Sequence, residues 1–321
     1  MKKLSLLLIG IMLMASSSIR KDPYLIFPTG HEVIYDICFS QNGSTLIVAD
    51  GREIKWFSSK DGHLLSTLSG GHRNAILALD LSADSSLLAS GGRDSLVLIW
   101  DVSKKEVIKR LNHKGIVTTV RWSPDHRYLL SGATDHKVYC YDVLNNKMAA
   151  EFSDHNDDVT SIDASSDGRL FASASADGTV RIYDLEQVRL LSSFQDRRSW
   201  VRKVRFNANA TRLLSCGDNS ILNSWNVADP KTINKWNSRR IGHTWLLSVD
   251  CFGDSVTYAT GSAGGVVTIS TPFGGYTVKL HSVVSKVIFK PGEGTRIKVA
   301  VATLGKGVML INASKMKTHK K

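Results

Sequence analysis

The chain has 321 residues, of which 42% are apolar and 22% charged, and its formal net charge is +12. This composition excludes an intrinsically disordered chain, and the length allows a large hydrophobic core. The positive charge is concentrated in residues 196–321, which hold 20 Lys and Arg against 6 Asp and Glu, whereas residues 1–195 hold 21 against 23. This asymmetry predicts a basic surface for an acidic partner in the C-terminal part of the chain.

The first 18 residues have the layout of a secretory signal peptide. Two lysines precede an apolar run from Leu4 to Met14, and small serine residues follow before a predicted cleavage point near Ile19. The run is shorter than the roughly 20 residues that cross a bilayer. We therefore predict that residues 1–18 are removed and that the mature chain has no membrane span. The short start with two lysines favours export to a bacterial periplasm or secretion.

A repeat fills the remainder of the chain. Histidines at spacings of 41, 41 and 42 residues open four copies, and they are His31, His72, His113 and His155. A bulky residue followed by a second, mostly polar one ends each of seven copies, and the bulky residues are Trp56, Trp100, Tyr141, Tyr183, Trp225, Ile269 and Ile311. The copies occupy approximately residues 30–69, 70–111, 112–153, 154–195, 196–241, 242–280 and 281–312. Self-similarity at this period is typical of propellers and other repeat proteins.

Each copy predicts four short β-strands. In the third copy the runs IVTTVRW, YLLSGA, KVYCYDV and KMAAEF are separated by SPDHR, TDH and LNN. Asn, Asp, Gly and Pro favour tight turns, and no segment of useful length has helical periodicity. Four antiparallel strands per copy, seven times over, predict an all-β protein with the fold of a seven-bladed β-propeller.

The ring needs a closing strand, because the seventh copy supplies three strands before a basic tail, residues 313–321. The segment YLIFP, residues 24–28, offers the fourth. We predict that it completes the last blade, which removes a sheet edge that promotes aggregation. One propeller domain is thus expected over residues 19–312.

The histidines and the closing Trp-Asp pair resemble those of the WD-repeat β-propeller family. In that family a histidine, a serine or threonine of the second strand, an aspartate of the next turn and a tryptophan form a hydrogen-bonded relay. The resemblance covers about residues 24–312 and is strongest in copies two to four. It implies relays formed by His72, Ser90, Asp94 and Trp100, by His113, Ser131, Asp135 and Tyr141, and by His155, Ser173, Asp177 and Tyr183.

No motif of an enzyme or of a cofactor site occurs in the sequence. Nucleotide-binding glycine fingerprints, G-x-S-x-G and H-E-x-x-H are absent. Buried His, Asp and Ser side chains of a relay satisfy one another, so we interpret them as structural. The cysteines lack the spacing of a metal site and are predicted to be small core residues; they are Cys38, Cys140, Cys216 and Cys251. We expect no catalytic residue, metal or cofactor.

The fifth copy departs from the pattern in the segment DRRSWVRKVRF, residues 196–206, where two arginines stand in place of the histidine. Trp200 directly precedes the first strand of this copy, and Trp245 has the same position in the sixth. In the WD-repeat family this position lies on the rim of the upper face, where partners commonly dock. The resemblance therefore places both tryptophans on neighbouring blades of one face.

Three arginines accompany these tryptophans. Arg202 follows Trp200 by two residues and is expected to point the same way along a pleated strand, while Arg197 and Arg198 lie in the preceding loop. Tryptophan and arginine are enriched at interface hot spots. We therefore predict a partner-binding site made of Trp200, Trp245, Arg197, Arg198 and Arg202.

These features favour a non-catalytic protein-interaction scaffold that binds an acidic protein partner on the upper face of blades five to seven. An exported assembly component of an envelope or secretion complex fits this description by analogy. The alternative is a binder of an anionic glycan, lipid or nucleic acid that uses the same basic blades and the C-terminal tail. Nucleic acid is not expected if the chain is exported, and the oligomeric state stays open.

Overall fold

Each copy of the repeat forms one four-stranded antiparallel sheet, and the seven sheets, the blades, form a closed ring. The structure is a computed structural model that describes residues 24–31, 33–196, 198–253, 257–292 and 297–313. These residues form strands and turns, and among them no helix is long and apolar enough to cross a membrane. The predicted seven-bladed propeller is confirmed. Residues 1–18, predicted as a signal peptide, and residues 314–321 of the tail lie outside the described residues.

Within each blade the strands lie side by side, and their order in the sheet leads from the centre of the ring to its rim. Blade one comprises β2 (Ile34–Phe39), β3 (Thr45–Asp50), β4 (Glu53–Ser58) and β5 (Leu64–Leu68). Blade two comprises β6 (Ile76–Leu81), β7 (Leu87–Gly92), β8 (Leu96–Asp101) and β9 (Glu106–Asn112). Blade three comprises β10 (Val117–Trp122), β11 (Tyr128–Ala133), β12 (Val138–Asp142) and β13 (Lys147–Phe152). Blade four comprises β14 (Val159–Ala164), β15 (Leu170–Ser175), β16 (Thr179–Asp184) and β17 (Arg189–Gln195).

The basic part of the chain forms the last three blades. Blade five comprises β18 (Val201–Phe206), β19 (Arg212–Gly217), β20 (Ile221–Asn226) and β21 (Asn234–Arg240). Blade six comprises β22 (Leu246–Phe252), β23 (Thr257–Ser262), β24 (Val266–Thr271) and β25 (Gly274–Lys279). Blade seven comprises β26 (Val284–Phe289), β27 (Lys298–Thr303), β28 (Val308–Asn312) and the N-terminal β1 (Tyr24–Phe27).

The two faces of the ring follow from this topology. The innermost strand of each blade contacts the innermost strands of both neighbours, and all seven run in the same direction along the central channel. We call the face at which these strands begin the upper face and the face at which they end the lower face. Because the strands of a blade alternate in direction, the outermost strand of each blade begins at the lower face and ends at the upper one.

The hydrophobic core is divided into clusters that lie between neighbouring blades. Between blades four and five, for example, Val201 and Val204 pack against Ile182. Glycine is required where second strands approach the next blade. A Cβ atom added at Gly132 of β11 would lie 2.4 Å from Cγ1 of Val159 in blade four. Packing of this kind lets each blade bury one face of the next.

The ring closes as predicted, by β1 pairing antiparallel with β28. Tyr24 is opposite Ile311 and Phe27 is opposite Val308. The Phe27 ring is buried and meets the Phe57 ring of blade one edge to face, with 5.7 Å between centroids. The clasp therefore joins the first and last blades through the core as well as through the sheet.

Blade two contains the complete relay. Trp100 Nε1 donates to Ser90 Oγ (2.8 Å), and His72 lies 2.8 Å from the same hydroxyl through Nε2 and 2.9 Å from Asp94 through Nδ1. These contacts are satisfied together when Ser90 donates to Nε2 and Nδ1–H donates to Asp94. Burial lowers the pKa of His72, which favours the neutral ring that this arrangement requires.

The relay is incomplete in blade three, where the prediction was wrong for Asp135 and Tyr141. His113 Nε2 lies 2.8 Å from Ser131 Oγ, but the buried Nδ1 atom of His113 has no hydrogen-bond partner. Asp135 instead accepts a hydrogen bond from the hydroxyl of Tyr139 (2.6 Å), and Tyr141 donates to Asn146. Tyrosine carries its donor at the end of the ring, so Tyr141 does not reproduce the contact that an indole makes with the serine.

Blade four has a modified relay. His155 lies 2.7 Å from Ser173 Oγ and 3.1 Å from Asp177, while the Tyr183 hydroxyl is a distant 3.5 Å from the serine. Arg181, which no sequence pattern singled out, contacts both His155 and Asp177. Burial lowers the pKa of His155. The predicted four residues are together, with a buried guanidinium added.

Candidate functional site

Trp200 and Trp245 have equivalent backbone environments at the upper ends of neighbouring blades. The carbonyl of Trp200 accepts a hydrogen bond from the amide of Asp218 (3.3 Å), and that of Trp245 accepts one from Ala263 (2.9 Å). Gly217 allows the first contact, because a Cβ atom at that position would lie 2.0 Å from the Trp200 carbonyl oxygen. Both tryptophans are thus held at the start of an inner strand, on the same face.

Arg202 is held between these two indoles. Its guanidinium carbon lies 4.1 Å from the centroid of Trp200 and 5.5 Å from that of Trp245, in the range of cation–π contacts. The pairing register of β18 with β19 shifts between Val201 and Lys203, so Arg202 is the extra residue of a β-bulge. Bulges redirect side chains, and this one accompanies the placement of the guanidinium between two blades.

Asp218 also contacts the guanidinium of Arg202. Arg202 Nε lies 2.6 Å from Oδ1 and Nη2 lies 3.0 Å from Oδ2, a two-point contact that fixes the plane of the guanidinium. We call Trp200, Arg202, Asp218 and Trp245 the indole clamp. The sequence analysis did not identify Asp218. The feature that could have pointed to it is a carboxylate in a copy that is otherwise strongly basic.

The clamp leaves much of both indoles accessible to solvent. The exposed fraction is 38% for Trp200 and 52% for Trp245, and neither ring belongs to a hydrophobic core cluster. At the equivalent positions of blades three, four and seven, Ile116, Asp158 and Val283 are half-buried. The upper rim therefore has two neighbouring large aromatic side chains where other blades have smaller ones.

The cations of the predicted site have different environments. Arg198 is exposed in the loop before β18, whereas Arg197 lies outside the described residues. The charge of Arg202 is compensated by Asp218, so this arginine positions the indoles more than it attracts an anion. Strand β21, the outermost of blade five, ends at the upper face with Arg239 and Arg240; Arg240 is exposed, whereas Arg239 Nη1 donates to the Tyr258 hydroxyl of blade six (3.0 Å).

The loop that lost its histidine has gained another polar contact. Asn223 donates to Asp196 (2.7 Å) and accepts from the hydroxyl of Ser238 (2.5 Å), which links two strands of blade five, β20 and β21, to the loop. Trp225 still donates to Ser215 (2.9 Å), as in the blade-two relay. The segment that begins at Asp196 is therefore fixed to the blade without a histidine.

Below the clamp the central channel contains a ladder of buried charges. Arg121 bridges Asp80 (3.0 Å) and Asp163 (3.0 Å), and Arg205 bridges Asp163 (2.9 Å) and Asp250 (2.8 Å). Each of these three aspartates also accepts a backbone N–H from a neighbouring blade. Arg205 is thus structural, as Arg121 is in the same position of blade three.

Lys203 lines the same channel, which encloses a cavity of about 580 Å³. Burial and the nearby charge of Lys286 lower the pKa of Lys203 to about 7, although Asp36 opposes the shift. Lys286 itself is paired with Asp36 at 2.6 Å. Among the described residues, no hydrogen bond or ion pair involves the Nζ atom of Lys203.

The four cysteines are free thiols. Burial raises the pKa of Cys140 and of Cys251 to about 12, so neither is a ready nucleophile. One group with metal-ligand atoms within 4.8 Å of one another occurs in the described part of the chain, formed by His136, Asp157 and Asp158. These residues lie at the upper surface, and His136 is exposed.

The comparison with known proteins identifies the family. The sequence profile of the WD40 family, described as WD domain, G-beta repeat, matches residues 23–65, 62–101, 105–142, 146–184 and 188–226. The chain belongs to the WD40 family. The last WD40 match includes Trp200, whereas Trp245 lies in a blade beyond it. WD40 propellers are typically non-catalytic scaffolds for protein interactions.

Individual WD40 relatives match only part of the chain. It is 33% identical over 100 residues to "Intraflagellar transport protein 122 homolog" of Danio rerio, which is 31% of this chain and 8% of that protein. It is 33% identical over 88 residues to "Small ribosomal subunit protein RACK1z" of Arabidopsis thaliana, which is 27% of this chain and 26% of that protein. The chain thus spans well under two thirds of these relatives.

A solved structure matches over most of the ring. The β-propeller domain of Cps50 (Swd1) from Myceliophteria_thermophila aligns with a TM-score of 0.75 and 15% identity, covering 87% of this chain and 95% of that domain. At this identity the likeness establishes the fold alone.

Proposed function

We propose that this WD40 propeller is a non-catalytic scaffold that binds an acidic protein partner on the upper face of blades five and six, through the indole clamp. The observation that carries the proposal is the pair of exposed indoles fixed on either side of Arg202, with 4.1 Å and 5.5 Å from guanidinium carbon to ring centroids. A rigid aromatic surface loses little conformational entropy on binding, which is why such residues dominate interface energies.

The acidic preference of the partner rests on the cations around the clamp. Asp218 compensates Arg202, so the attraction comes from Arg198 and Arg240, which are exposed at the upper end of blade five. Arg202 Nη1 makes no hydrogen bond to a described residue and is a possible donor to a carbonyl or carboxylate of the partner. The clamp then supplies affinity, and the surrounding cations supply charge selection.

The proposal includes an exported location, which rests on the sequence of residues 1–18. The envelope or secretion-complex role is an analogy from that location and from the scaffold character of WD40 propellers.

The test is affinity purification of the chain after crosslinking in its native cells, with Trp200→Ala/Trp245→Ala compared with wild type. Trp236→Ala is the matched control, because Trp236 is 61% exposed and lies on the outer strand of blade five. We expect the clamp variant to lose a specific companion that the control retains. Equal recovery of the same companions from all three chains would contradict the proposal.

A second arm separates a protein interface from polyanion binding. A polyanion contact weakens steeply between 50 and 200 mM salt, whereas a contact dominated by buried indoles weakens much less. Retention of the companion at high salt in the wild type, and its loss in the clamp variant, is the outcome that supports the scaffold.

A further inference from the structure

The hairpin between β24 and β25 presents an aromatic side chain at the lower face of blade six. Phe273 is 97% exposed at the tip of this turn. Thr271 Oγ1 accepts a hydrogen bond from the Phe273 amide (3.2 Å) and donates to the Gly274 carbonyl (2.8 Å). The tip is therefore a hydrogen-bonded turn that holds the phenyl ring of Phe273 away from the body of the protein.

Other aromatic side chains are exposed near the same end of the neighbouring strands. Phe252 ends β22 at the lower face and is exposed, with its ring 5.8 Å from that of Phe289, the last residue of β26. Trp236 lies near the lower end of β21, and the guanidinium of Arg212 stacks on it at 3.9 Å. Blades five and six thus present aromatic groups at a face opposite to the indole clamp.

Positive charge surrounds these groups. Arg212, Lys231 and Lys235 lie at the lower end of blade five, where they outnumber Asp229 among the residues that the structure describes.

We propose that the lower face of blades five and six binds an anionic lipid bilayer, with Phe273 inserted at the level of the headgroups and the surrounding cations on lipid phosphates. Aromatic side chains partition to the interface of a bilayer, and basic clusters are attracted to anionic headgroups. The two signals act on different layers of the bilayer, so their contributions add. This inference is independent of the upper-face scaffold, because the two sites lie on opposite faces.

A bilayer fits this surface better than a protein partner. Phe273 protrudes from a turn between Pro272 and Gly274 and is 97% exposed, so it does not lie in a groove that a second protein could fill. The cations are spread along the lower end of blade five and are not gathered in one pocket, which suits a surface with mobile anionic groups.

The test is sedimentation with vesicles, using the chain from Ile19 to Lys321, which contains every described residue. The vesicles contain phosphatidylcholine alone or with about one third phosphatidylglycerol. We expect at least tenfold stronger binding to the anionic vesicles, and at least a fivefold loss in Phe273→Ser. Phe273→Trp should restore binding, because tryptophan also favours the interface.

Leu144→Ser is the matched control. Leu144 is 76% exposed in the lower-face turn between β12 and β13, the equivalent hairpin of blade three, which lies outside the proposed surface of blades five and six. It should bind the anionic vesicles within twofold of wild type. The variant Lys231→Gln/Lys235→Gln, at the lower end of blade five, should lose at least fivefold.

Two outcomes overturn the proposal. Equal binding of Phe273→Ser and wild type to anionic vesicles removes the role of the tip. Equal affinity for the vesicles and for a single-stranded oligonucleotide, with no effect of Phe273→Ser on either, indicates a polyanion surface instead of a lipid one. The clamp variant Trp200→Ala/Trp245→Ala should bind vesicles like wild type, so failure here is distinct from failure of the scaffold.

Discussion

Asp218 holds the guanidinium of Arg202 with both carboxylate oxygens, at 2.6 and 3.0 Å, and the guanidinium in turn stacks on the two indoles of the clamp. One carboxylate of blade five therefore determines how aromatic side chains from two blades are placed. The clamp is a unit of four residues and not two independently exposed tryptophans.

Asp218→Asn should disturb both indoles without unfolding the propeller. The amide cannot accept both guanidinium hydrogen bonds, so Arg202 loses its fixed plane. In ¹H–¹⁵N spectra the indole resonances of Trp200 and Trp245 should both shift, while that of the control Trp236 should not. If Trp200 alone responds, the contact of Arg202 with blade six is not maintained in solution.

Ser90→Ala should destabilise the fold more than Ser131→Ala. Ser90 Oγ interacts with both Trp100 and His72, whereas Ser131 Oγ interacts with His113 only. Loss of the Ser90 hydroxyl leaves two buried polar groups unsatisfied, at a cost of about 2–4 kcal/mol. Loss of the Ser131 hydroxyl leaves one, at a cost of about 1–2 kcal/mol. Urea unfolding of the two variants measures the difference, and equal losses would show that the relay of blade two does not act as a unit.

The clasp should contribute more to stability than the tail. Phe27 is buried between the first and last blades, so Phe27→Ala should cost about 3–5 kcal/mol. A chain that ends at Ala313 should unfold at the same urea concentration as the full chain. A large loss in the shortened chain would mean that the tail takes part in closing the ring.

Lys203 should make stability depend on pH above neutrality. Its pKa is about 7 in the fold, whereas an unfolded lysine titrates near ~10.4. Between these values the unfolded chain binds more protons, so the free energy of unfolding rises with pH, by at most about 1.4 kcal/mol per pH unit.

Replacing Lys203 should remove this dependence. The stability advantage of Lys203→Met over wild type should shrink by about 2 kcal/mol between pH 7 and pH 9, in urea unfolding at each pH. Lys306→Met, at an exposed lysine of the upper face, is the control. A constant difference between Lys203→Met and wild type would show that the channel lysine keeps an ordinary pKa.

The architecture could be predicted because it repeats. Seven copies of the same strands and turns give the blade number, and the three-strand seventh copy indicates that YLIFP must close the ring, as β1 does with β28. The relay of blade two follows from the same regularity, because Trp100 has the donor geometry that the pattern assumes.

The parts that could not be predicted depend on contacts between side chains far apart in sequence. Asp135 accepts a hydrogen bond from Tyr139 and none from His113. The Tyr139 hydroxyl lies within hydrogen-bond distance of the carboxylate, although Tyr139 stands two residues before the pattern position, Tyr141. Arg202 pairs with Asp218 at a β-bulge that recurs at this position in every blade, so the bulge alone does not single out this pair. The alternating Asp and Arg residues of the channel become neighbours only when the ring closes.

The most direct measurement of the central proposal is photocrosslinking from single positions of the folded chain in its native cells. A benzoylphenylalanine placed at position 200 or 245 should crosslink to one and the same partner protein, whereas the same group at position 236 should not. Crosslinks to that partner from position 236 alone, or to different partners from positions 200 and 245, would contradict a shared docking surface across blades five and six.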